Sequence, residues 1–155
     1  MIKAGLFLTV ATMAMGAEAS PPPRGPADLV VSRSTSDVAS TQARAKAALE
    51  KLGVPVFATF DHGANAKEAG LPLRPTVVLV FGNPKVGTLL MQGNQAFALD
   101  LPLRLAIWQD EQGRTWVGYH DLQRVAAGYG MEGDATVQKL AGFMANLAKQ
   151  SAGTP

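Results

Sequence analysis

The residues with the clearest chemical potential sit in two short stretches. Phe81-Gly82-Asn83-Pro84-Lys85-Val86-Gly87-Thr88 reads as a strand, a glycine-containing turn and the start of a helix. That arrangement aims backbone N–H groups at an anion. Gly82, Gly87 and Thr88 reproduce the spacing of a phosphate-cradling loop, but no lysine separates Gly87 from Thr88, so nucleotide binding is excluded. A cradle for a small anion assisted by Lys85 is one expectation; a tight turn whose glycines supply unusual backbone angles is the other. Asp61-His62 is the second stretch. His62 continues the alternation of Val56, Ala58 and Phe60, which would carry its ring toward the core side. An imidazole at a strand end can hold a metal, move a proton or bond a loop carbonyl.

Other chemistry is sparse. The 155 residues contain no cysteine, which excludes disulfides, thiolate catalysis and cysteine-based metal sites. A metal site would have to combine His62 and His120 with Asp61, Asp100, Asp121 or Met91, and no short ligand spacing supports one. There is no Gly-x-Ser-x-Gly or His-Glu-x-x-His sequence. Trp108 and Trp116 lie where the two arms of a hairpin would face each other, as core or interface residues.

Elements that must position these groups follow from periodicity. Residues 1–19 read as a signal peptide: Lys3, the apolar run Ala4–Gly16 and Ala17-Glu18-Ala19 place cleavage before Ser20. The run is short of the about 20 residues of a membrane span, so no stable span is expected after cleavage and the location is periplasmic or secreted. Cleavage removes one basic and one acidic residue, leaving the +2 net charge unchanged. With no basic stripe, nucleic acid is excluded as a partner. Residues 20–27 are a proline-rich tether, and 28–150 form one domain. Leu29-Val30-Val31 reads as a strand. Ser34 with Asp37 fits a capping box opening a helix to about Leu52, with Val38, Ala45, Leu49 and Leu52 on one stripe. Strands follow at 56–61, 76–81, 104–109 and 115–119, with a helical turn at 65–69 and short helices at 88–91 and 95–99. A helix over 134–149 ends the domain. The strand 76–81 is apolar on both faces, which marks it as central and covered from two sides or sealed by a partner. The expected class is α+β, order β-α-β-β-β-β-α, an antiparallel sheet with helices on one face.

The chain also resembles a known family. The residues that carry the likeness are Phe60-Asp61-His62 with a later Ala-Gly pair, Leu73-Arg74-Pro75-Thr76, Phe81-Gly82-Asn83-Pro84-Lys85, Gly87-Thr88 and Leu90-Met91. The series continues through Ala98-Leu99-Asp100-Leu101-Pro102-Leu103-Arg104, Trp108-Gln109-Asp110 and Trp116-Val117-Gly118-Tyr119. Together they are similar to the bacterial and archaeal domain of unknown function 302 over residues 30–149. The resemblance implies a TATA-binding-protein-like fold, a curved sheet against helices, and a homodimer. It implies no activity, cofactor or catalytic set, so the cofactor is unknown. His120 stands where that family commonly has asparagine, so the resemblance does not carry it into a family site, and whether it belongs to a site stays open.

Three functions are expected from these readings. One is a non-enzymatic exported domain binding a small anion or metal, or serving as an accessory, through His62, Asn83, Lys85, Gly87, Thr88 and Met91. The second is a hydrolase or isomerase with His62 as general base, oriented by Asp61 or Asp100. The third is a structural or partner-binding dimer without ligand.

Overall fold

The computed structural model describes residues 22–154; the signal-peptide reading and the first two residues of the tether lie outside them. Residues 22–26 adopt neither helix nor strand. The strands are β1 (Leu29–Arg33), β2 (Val56–Asp61), β3 (Thr76–Phe81), β4 (Leu103–Gln109) and β5 (Thr115–His120). They form one sheet in the order β1-β5-β4-β3-β2, antiparallel at every pairing. Helices α1 (Val38–Lys51), α2 (His62–Glu68), α3 (Pro84–Gly93), α4 (Leu122–Ala127) and α5 (Ala135–Ala152) complete the chain, with a 3₁₀ turn at Gln95–Asp100. The class is α+β with the helices on one side of the sheet, as the strand pattern requires. α2 is longer than a single turn, the segment at 88–91 belongs to the longer α3, and α4 is an addition to the expected elements. Its six residues are too few for helical periodicity to show.

Burial explains the one-sided packing. Val77, Leu79 and Phe81 of β3, Leu103, Leu105 and Ile107 of β4, and Val117 of β5 point toward the helices and are buried. They meet Ala45 and Leu49 of α1 and Met144, Leu147 and Ala148 of α5. Each large side chain taken fully out of water contributes about 1.5–3 kcal/mol. Thr76, Val78 and Val80, on the alternate positions of β3, are only half-buried. That strand is therefore internal, as expected, but covered by helices on one side alone.

The start of α1 departs from the expected capping box. Asp37 is the N-cap, its Oδ1 accepting from the Ser40 amide at 2.7 Å. Ser34 is instead buried against Thr41, with 2.6 Å between hydroxyls. Arg44 donates to Ser34, to Ser36 and to the Ser151 carbonyl, so Ser34 serves a tertiary contact that outcompetes a local cap. Leu52 follows the last turn and is exposed rather than on the buried stripe. At the far end α5 runs three residues beyond the expected 149 and closes on Gly153 in the left-handed conformation.

Candidate functional site

The expected ligand residues do not converge. Asp61 pairs with Val77 at the start of β3, whereas Asn83 follows the end of that strand. The stretch from Val77 to Phe81 alone spans about 13 Å. His62 is thus at one end of the sheet and the Asn83–Thr88 segment at the other. His62 opens α2 and is exposed, not turned toward the core, because Ala58 and Phe60, whose alternation it continues in the sequence, face away from the helices and the chain leaves strand geometry at His62. Its ring stacks beside Phe60 with centroids 6.4 Å apart. Asp61 caps α2 by accepting from the Ala64 amide at 2.9 Å, and Asp100 binds Tyr129. Neither orients His62, so the geometry a general base requires is not assembled.

The anion-cradle donors are already used. Pro84 at the first turn of α3 has no N–H. The Lys85 amide donates to Asn83 Oδ1 at 3.0 Å, and the Val86 and Gly87 amides donate to the Asn83 carbonyl. Thr88 returns its hydroxyl to the Pro84 carbonyl at 2.8 Å. Gly82 and Gly87 have ordinary backbone angles, and a side chain at either would meet Phe57 or Leu101 only at an ordinary 3.5 Å. Lys85 projects into solvent and Met91 is half-buried further along α3. A sequence pattern for strand, turn and helix start cannot reveal that the turn satisfies itself. Among the described residues no group of three or more His, Cys, Asp or Glu could hold a metal ion.

A cavity of about 80 Å³ lies instead where β4 begins and β5 ends, lined by Asp100, Arg104 and His120 above Leu103, Val125 and Met144. His120 Nδ1 lies 2.6 Å from Asp28 Oδ2. The Tyr129 hydroxyl donates to Asp100 Oδ2 at 2.5 Å, and that bond to a carboxylate, with burial adding to it, raises the Tyr129 hydroxyl above its ordinary value. Arg104 donates to the Leu99 carbonyl at 3.2 Å. Only the adjacency of His120 and Asp121 was visible in sequence; Asp28 lies 92 residues from His120 and carried no local signal.

The sheet face away from the helices is the other distinctive surface. Alternation and register place Ala58 and Phe60, Val78 and Val80, Ala106 and Trp108, and Val31 across it. Phe60 is 49% exposed. Trp108 and Trp116 are direct cross-strand partners, as expected of a hairpin pair. Trp108 lies over Gly118, where a side chain would meet its ring at 2.7 Å. Trp116 donates its Nε1–H to Asp110 Oδ2 at 2.8 Å. The Asp110 carboxylate also accepts from the Arg114 side chain at 2.6 Å and from the Arg114 and Gln112 amides. Partial burial works against the charge on Asp110, but these donors outweigh it and hold the carboxyl far below its ordinary range.

Residues 30–147 match the family described as Domain of unknown function DUF302. The structure is similar to the crystal structure of an uncharacterized conserved protein DUF302 from Bacillus stearothermophilus, with a TM-score of 0.66 and 19% identity, covering 82% of this chain and 97% of that one. The chain is also 39% identical over 127 residues to proteins named fluoride-specific ion channel FluC 1 from Brucella suis and Brucella abortus. The match takes in 81% of this chain and 50% and 47% of those proteins, so the chain spans about half the length of these relatives.

Proposed function

Because the chain belongs to the family described as Domain of unknown function DUF302, whose shared fold specifies no reaction, we propose that it is an exported, non-enzymatic accessory domain that works as a homodimer. The observation that carries this reading is the uncovered face of the sheet. One face is sealed by α1 and α5, while the other presents half-exposed Phe60, Val78, Val80 and Trp108 to solvent. A contiguous apolar surface of this kind marks an association site. A two-fold dimer needs a patch complementary to itself, which an apolar sheet face satisfies without charge matching. The +2 net charge opposes association only weakly.

The test is sedimentation velocity on the purified protein and on Phe60→Asp, an exposed position whose change leaves the core intact. The protein is expected to sediment as a dimer and the variant as a monomer. A monomeric wild-type protein at micromolar concentration would refute the reading. Export is checked by intact mass after expression with the leader, with loss of residues 1–19 expected.

The half-length match to proteins named as fluoride channels favours a companion reading of the accessory role. Ion conduction needs membrane-spanning helices or a closed barrel. Among the described residues no helix is long and apolar enough to cross a membrane, and the five-stranded sheet keeps two open edges, β1 and β2. We therefore infer for this chain an extramembrane role beside a separate membrane partner.

A further inference from the structure

The cavity at the start of β4 lies at one end of the sheet, and its lining has a definite chemical bias. Its polar rim is Asp100 at the end of the 3₁₀ turn, Arg104 on β4 and His120 at the end of β5, the last held by Asp28 before β1. The two carboxylates are engaged, Asp28 by His120 and Asp100 by Tyr129. Arg104 differs. Among the described residues it pairs with no carboxylate and spends one N–H on the Leu99 carbonyl. A guanidinium has five N–H donors in a planar fork that matches a carboxylate. Asp100 keeps Oδ1 as an acceptor, and His120, with Nδ1 turned to Asp28, keeps Nε2 facing outward. The rest of the lining is apolar: Leu103, Leu122, Val125 and Met144. A volume of about 80 Å³ admits only a few heavy atoms.

We propose that this cavity binds a short carboxylate bearing a hydrogen-bond donor on the neighbouring carbon. The carboxylate lies on Arg104, the hydroxyl or ammonium donor faces Asp100 and His120, and the small alkyl group rests on Leu103, Val125 and Met144. Arg104 alone would accept any anion. The Asp100 carboxylate beside it selects against simple inorganic anions, which bring no donor and meet its negative charge.

The experiment is an amide NMR titration of the purified protein with lactate, alanine, propionate and chloride in turn. Lactate and alanine separate a hydroxyl from an ammonium donor. Saturable shifts at Leu103, Arg104 and Val125 are expected at millimolar lactate or alanine, with propionate weaker by about tenfold, the loss of one charge-assisted hydrogen bond. Arg104→Gln is expected to weaken binding by about tenfold or more, and Arg104→Lys to retain part of it. Arg104 is exposed, so neither change disturbs the core. Equal shifts with propionate or chloride, or shifts that survive Arg104→Gln, would overturn the proposal, as would no saturable shift with either donor-bearing probe.

Discussion

Gly118→Ala tests whether the open sheet face is built around a fixed tryptophan. A Cβ at this position would stand 2.7 Å from Cζ3 and 2.8 Å from Cη2 of Trp108, and 3.5 Å from Leu29 Cδ1. Ordinary contact begins near 3.4 Å, so the indole must retreat by about 0.7 Å, the difference between 3.4 and 2.7 Å. Trp116 stands directly across the hairpin from Trp108. Overpacking of this kind costs about 1–3 kcal/mol. Against it, alanine at an ordinary backbone angle restricts the unfolded chain and returns about 0.4–1 kcal/mol. The balance is a loss of about 0.5–2 kcal/mol, read as a lower urea midpoint at unchanged slope. A double-mutant cycle with Trp108→Val isolates the contact, since the penalty should shrink once the ring is gone. Were Gly118→Ala as stable as the wild type, or its cost the same in the Trp108→Val background, the indole would not be fixed against Gly118 as described.

Asp110→Asn is expected to lower thermal stability at neutral pH, because four N–H groups lose a charged acceptor. The folded-state pKa of Asp110 is depressed, so its stabilisation is full above the ordinary carboxylate value near 3.8 and fades as pH falls below it. Melting both proteins from pH 7 downward should show a constant gap that closes only below about pH 4; a gap closing near pH ~6 would contradict the assignment. Lys85→Ala is expected to leave phosphate-dependent stabilisation unchanged, since the α3 amides beside it are already bonded. A melting shift with phosphate that disappears in this variant would restore the anion cradle.

Much of the architecture was legible in the residues. Short apolar runs between turn residues marked out the five strands, and the two-sided apolar run Thr76–Phe81 identified β3 as internal, because composition and spacing are local properties of the chain. Asp134 and the apolar spacing of Val137, Leu140 and Met144 announced α5 for the same reason. The cross-strand meeting of Trp108 with Trp116 followed from one short hairpin. The groups that could act on a ligand were not legible, because their neighbours come from distant parts of the chain. Sequence proximity favoured His62 with Asp61, yet the register of β2 on β3 sends His62 to the opposite end from Lys85. Ser34 had the spacing of a cap but was drawn into the contact with Thr41 and Arg44. Only the packed sheet brings Asp28 to His120, and His120 to the cavity lined by Asp100 and Arg104. Local periodicity depends on a few consecutive residues, whereas a site depends on the register and ends of whole strands, and those are set by tertiary packing.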